Sequence, residues 1–77
     1  MQKQTAIRMS EAARAEKLAY ENYWHACRRL AAGDTSSIDY PRLESDREET
    51  RQNWLRAYAE IQKVRNEAIE EALEIPY

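Results

Sequence analysis

The sequence predicts an all-α fold: a single-domain antiparallel two-helix hairpin, with a second copy completing a four-helix bundle. Three observations predict it. Ala, Glu, Arg, Lys and Leu dominate the 77 residues, with one Gly, two Pro and no Phe, a composition that builds long helices with little punctuation. The only strong break is AAGDTSSIDYP, at residues 31–41. On either side of it, apolar residues recur at three- and four-residue spacing, the period of one helical face.

The first helix is expected over about residues 5–32. Thr5 can open it, as can Ser10 ahead of EAARAEK, because either hydroxyl can accept from the free N–H groups of a first turn. Its seam is expected to run through Met9, Ala13, Tyr20, Tyr23, Cys27 and Leu30, with Trp24 beside it and Glu16 as the flaw. The turn occupies 33–40. Gly33 is expected just past the helix end with a positive φ, which glycine adopts without steric penalty. Asp34, Thr35, Ser36 and Ser37 are turn formers, and Asp39 can cap the second helix.

That second helix is expected over about residues 41–74. Pro41 suits its first turn, where a missing N–H loses nothing, and nothing interrupts the chain again until Pro76. The seam series is Leu43, Arg47, Thr50, Trp54, Ala57, Ile61, Val64, Ala68 and Ile75, with Arg47 and Glu71 as flaws. Leu55, Tyr58, Ile69, Ala72 and Leu73 widen the apolar arc beyond what one facing helix can cover. Helices of about 40–50 Å joined by a connection of about eight residues favour antiparallel neighbours.

Folding the chain back at the turn opposes residues whose numbers sum to roughly 74. Tyr20 then faces Trp54, and Ala13 faces Ile61. Lys3, Arg8 and Arg14 fall beside Glu67, Glu70, Glu71 and Glu74, while Arg28 and Arg29 meet Glu44, Asp46, Glu48 and Glu49. The net charge of −2 hides this asymmetry. Residues 1–32 carry six basic side chains against three acidic ones, and residues 33–77 carry six against eleven. Oppositely charged halves that lie together choose a register more than they add stability, since an exposed pair contributes only about 0–1 kcal/mol.

The segment YENYWHACRRL, residues 20–30, gathers two tyrosines, a tryptophan, the only histidine, the only cysteine and an Arg pair. Helix geometry sets His25 and Cys27 about 200° apart, so they cannot share a ligand sphere. Glu21 and His25 share a face, but one Glu and one His are too few for a closed metal site. Cys27 lacks a base on its own face, and reads as a small buried hydrophobe. With no glycine-rich phosphate loop and no carboxylate pair in a cleft, the chain is read as a non-enzyme without cofactor or metal. Nucleic-acid binding needs a concentrated basic stripe, whereas these basic residues are dispersed in a chain of pI about 5.4. A DNA-binding regulator therefore ranks third among the readings.

Interface chemistry ranks first. Tyr and Trp without Phe suit half-wet surfaces, and with Arg they are the usual anchors of protein contacts. Tyr23, Trp24, Arg28 and Tyr58 are the expected partner-binding residues. Tyr20, Cys27, Leu30, Trp54, Ile61, Val64 and Ile69 are the expected core or dimer seam. Two helices alone bury too little to offset the entropy of ordering the chain, about 1–2 kcal/mol per residue. A second copy, or a larger partner protein, should supply the cover. The leading expectation is a binder, inhibitor or modulator of another protein, with a self-assembling structural adaptor as the alternative. By size-class analogy alone, small acidic hairpins without a site serve as accessory or inhibitory proteins, phage-encoded ones among them. A lone cysteine and the absence of an apolar leader or spanning run in the sequence predict a cytoplasmic protein away from membranes.

Overall fold

The computed structural model describes residues 3–74, and within them the chain is two helices and a turn. Helix α1 spans Lys3–Ala32 and α2 spans Tyr40–Glu74. They pack side by side along their lengths, giving a rod with extents of 64 × 14 × 13 Å. No strand occurs among the described residues, and no described helix is long and apolar enough to cross a membrane. Ile75 and Pro76, the expected last seam position and stop, lie outside the described residues.

The antiparallel register is the expected one. Thr5 meets Glu71, Arg8 meets Glu67, Glu16 meets Trp54, and Tyr20 and Tyr23 both meet Trp54. The residue numbers in these pairs sum to values scattered about 74. The turn is built as its composition directs. Asp34 accepts from the Ser36 backbone N–H at 3.0 Å and from its hydroxyl at 2.8 Å, an Asx-type turn that holds the Asp34 carboxyl below its ordinary pKa. The Asp39 carbonyl accepts from Arg42 N–H and Leu43 N–H, so Asp39 is the residue from which α2 starts and Pro41 falls in its first turn.

Gly33 departs from expectation. Its φ is not positive, and what a side chain there would meet is Leu43 of the second helix. A Cβ there would lie 2.8 Å from Leu43 Cδ1 and 3.4 Å from the Arg29 and Leu30 carbonyl oxygens. The glycine lets the first turn of α2 close against the last turn of α1, and its N–H donates to the Leu30 carbonyl at 3.1 Å.

The seam of α1 also differs from expectation. Buried positions are Thr5, Ala12, Ala26 and Leu30, while Ala13 and Tyr20 are exposed and Cys27 is half-buried. The contact line therefore runs through Thr5, Met9, Ala12, Glu16, Ala19, Tyr23, Ala26 and Leu30, one position round from the expected one. Both lines share the spacing and the residues Met9, Glu16, Tyr23 and Leu30, so periodicity alone does not separate them. Volume does: Ala12, Ala19 and Ala26 let the backbones approach and leave room for the larger side chains of α2.

On α2 the seam follows the expected series, with Val64 at 1% exposure and Ala68 buried, and Ile61, Ala57 and Trp54 half-buried. Ile69, expected in the core or dimer seam, is 53% exposed. It follows the seam residue Ala68 by one position, about 100° further round the helix, and so turns away from α1 onto the outer flank with Leu55.

The polar residues that break the apolar pattern are satisfied across or along the helices. The Trp54 indole N–H donates to Glu16 Oε1 at 2.9 Å, and the buried Thr5 hydroxyl donates to Glu71 Oε1 at 2.5 Å. Thr50 turns its hydroxyl back onto the Asp46 and Arg47 carbonyls at 2.8 and 3.0 Å. The two seam glutamates thus each take a donor from the opposite helix. A shift of register would leave both carboxylates in the seam without those donors, which makes the pairs determinants of alignment. At the open end, the Arg8–Glu67 ion pair at 2.6 Å raises the Arg8 pKa, and it offsets the acidic residues that oppose the α2 dipole.

Candidate functional site

Trp54 organises the middle of the hairpin. Tyr23 stacks on it with ring centroids 5.9 Å apart and planes 10° apart. Tyr20 meets it edge-on at 5.6 Å, and Tyr58 lies against it at 6.0 Å. Its N–H is committed to Glu16. Trp54 is therefore enclosed by aromatic rings and anchored at its polar atom, while Tyr20 and Tyr58, each 47% exposed, carry the cluster out to the surface.

Trp24 is placed differently. It is 45% exposed, with the Arg28 guanidinium carbon 4.8 Å from its ring centroid and the His25 ring edge-on at 5.2 Å. Arg28 follows Trp24 by four residues, so one helical face brings the cation over the ring, a geometry that favours both side chains. His25 is exposed, and its ring contact is with Trp24 on its own helix.

Helix geometry gathers these residues on one side of the rod. At about 100° per residue, Tyr20 and Trp24 lie on one flank of the α1 seam, and Leu55, Tyr58 and Ile69 lie on the matching flank of α2. The contacts of Tyr20 and Tyr58 with the same indole show that the two flanks adjoin. All five side chains are among the exposed large hydrophobic residues. The opposite side holds the Arg8–Glu67 pair and a shallow pocket of about 280 Å³ lined by Arg8, Glu11, Ala12, Glu60 and Val64. It also holds a groove of about 190 Å³ between Ala15, Leu18, Ala19, Asn22, Thr50 and Asn53. One side of the hairpin is therefore aromatic, and the other is mainly polar apart from Ile7 and Leu18.

Of the expected partner-binding residues, Trp24, Arg28 and Tyr58 reach this aromatic surface. Tyr23 is half-buried, because it stacks inward on Trp54. Of the expected seam, Leu30 and Val64 are buried, Trp54, Ile61 and Cys27 are half-buried, and Tyr20 and Ile69 are on the exposed flank. Leu55, absent from the expected partner residues, belongs to the same surface. Its three-residue spacing from Tyr58 is the signal in the sequence that points to it.

Cys27 lies beside the seam residue Ala26. The Tyr23 hydroxyl rests against its sulfur, which favours the protonated phenol and raises the Tyr23 pKa. Partial burial should slow modification without abolishing it. The expected result is thiol labelling several-fold slower in the native protein than in denaturant, and equal rates would contradict this placement. Among the described residues, no group of three or more His, Cys, Asp or Glu side chains is arranged to hold a metal ion. Comparison with models of protein families, with curated proteins and with solved structures gave no match.

Proposed function

We propose that this hairpin is a non-enzymatic protein-interaction module, which binds or modulates another protein through its aromatic face. The observation that carries the reading is the collection of Tyr20, Trp24, Leu55, Tyr58 and Ile69, all substantially exposed, on one side of a rod whose other side is mainly polar. Large apolar side chains exposed along one side of a rod mark an interaction site more often than singly scattered ones do. Aromatic rings beside an arginine are the side chains that contribute most when a protein surface covers them. The lone cysteine supports a reducing, cytoplasmic setting for that work.

A second reading, self-association into a four-helix bundle with a structural or assembly role, is favoured by the thin core. Among the described residues the buried positions are Thr5, Ala12, Ala26, Leu30, Val64 and Ala68, most of them small side chains that bury little apolar area. A photo-crosslinking residue at position 24 tests the interface reading, with position 63 on the polar side as its control. Protein adducts are expected from position 24 and few from position 63. Equal yields at the two positions, or none at 24, would contradict it.

A further inference from the structure

The aromatic face points to its own occupant, and this step rests on reading that face as a protein interface. We infer that in the free protein a second copy of the chain covers it, antiparallel to the first, about a two-fold axis that crosses the rod near Leu55 and Tyr58. The first support is area. The chain exposes 6149 Å², whereas a compact monomer of 9.1 kDa exposes about 4,900 Å². The surplus, roughly 1,200 Å², exceeds the approximately 800 Å² that each partner contributes to a standard interface.

The second support is the order of charges along the face. Glu48, Arg51, Leu55, Tyr58, Arg65 and Ile69 share the outer flank of α2 by helical spacing, and Glu48 pairs along the helix with Arg51 at 3.4 Å, an exposed contact that contributes little. Glu48 and Arg65 stand nearly equidistant from the middle of Tyr40–Glu74. A two-fold crossing the rod there lays Glu48 of one copy against Arg65 of the other, twice over. The same operation places Trp24 on α1 opposite Ser10 and Ala13, a large ring against small side chains. A two-fold along the rod would instead lay α2 on α1 of the other copy. Glu48 would then meet Trp24 and Cys27, beside the Arg28 guanidinium that lies over the Trp24 ring, but Arg65 would meet Ser10 and find no acid. Lys17 falls near the crossing axis, where its long stem lets the ammonium turn out to the rim.

Charge-swapped variants test this arrangement. Light scattering at tens of micromolar should give twice the chain mass for the wild type. Glu48→Arg alone and Arg65→Glu alone place like charges together, and each should dimerise about tenfold more weakly with its helicity unchanged. An equimolar mixture of the two variants restores opposite charges at both contacts, and should recover wild-type association. A monomeric wild type, or a mixture no tighter than either variant, overturns the proposal. If that monomer still forms adducts with other proteins from position 24, the second copy is wrong and the interface reading stands. A monomer with no adducts overturns both.

Discussion

Trp54→Ala is expected to lower the melting temperature more than any other single change in this chain. The indole touches Tyr20, Tyr23 and Tyr58 and donates to Glu16. Removing it takes away the largest seam side chain and leaves the Glu16 carboxylate without its donor. Truncating a large aromatic in a core costs about 3–5 kcal/mol, comparable with the roughly 3–5 kcal/mol that a core of this size supplies in total. The variant should be largely unfolded at room temperature when followed by circular dichroism. Glu16→Ala, which removes only the acceptor, should cost about 1–2 kcal/mol. A Trp54→Ala variant that melts like the wild type would show that the aromatic cluster does not hold the hairpin together.

Trp24→Ala should behave in the opposite way. Its ring is 45% exposed and its close neighbours, His25 and Arg28, are on its own helix, so the hairpin loses little when it is removed. The effect should appear in association, where an aromatic anchor covered by a partner contributes about 2–4 kcal/mol, or roughly 30- to 1,000-fold in Kd. Helicity and melting of the dilute protein should stay close to wild type. Unfolding caused by Trp24→Ala, with binding lost and stability kept in Trp54→Ala, would mean that the two tryptophans have the reverse roles.

The parts of the fold that are legible in the sequence are those decided locally. The turn lies in residues 33–39, and a single turn leaves one way to pair the helices, so the register comes with it. The α2 seam is legible because Leu43, Trp54, Ile61 and Val64 are large and regularly spaced. The α1 seam is not, because Ala12, Ala19 and Ala26 compete with Ala13, Tyr20 and Cys27 at the same spacing. Hydrophobic periodicity registers apolar area, whereas close helix packing there selects small volume. Glu16 and Glu71 look like flaws in the pattern because their donors lie 38 and 66 residues away. Gly33 marks the break, but its closeness to Leu43 becomes visible only when the second helix is in place. The candidate site is legible as residue types but not as a surface, because its limits depend on the phase of α1.

Fluorine NMR of the protein labelled with 5-fluorotryptophan distinguishes the two indoles in one experiment, with Trp24→Phe assigning the signals. The protein is diluted from hundreds of micromolar to a few micromolar. The Trp24 resonance should move toward its solvent-exposed position as the aromatic face is uncovered, while the Trp54 resonance, enclosed by Tyr20, Tyr23 and Tyr58, should stay in place. A Trp54 resonance that moves while Trp24 holds still would contradict the assignment of the aromatic face as the surface through which this protein associates.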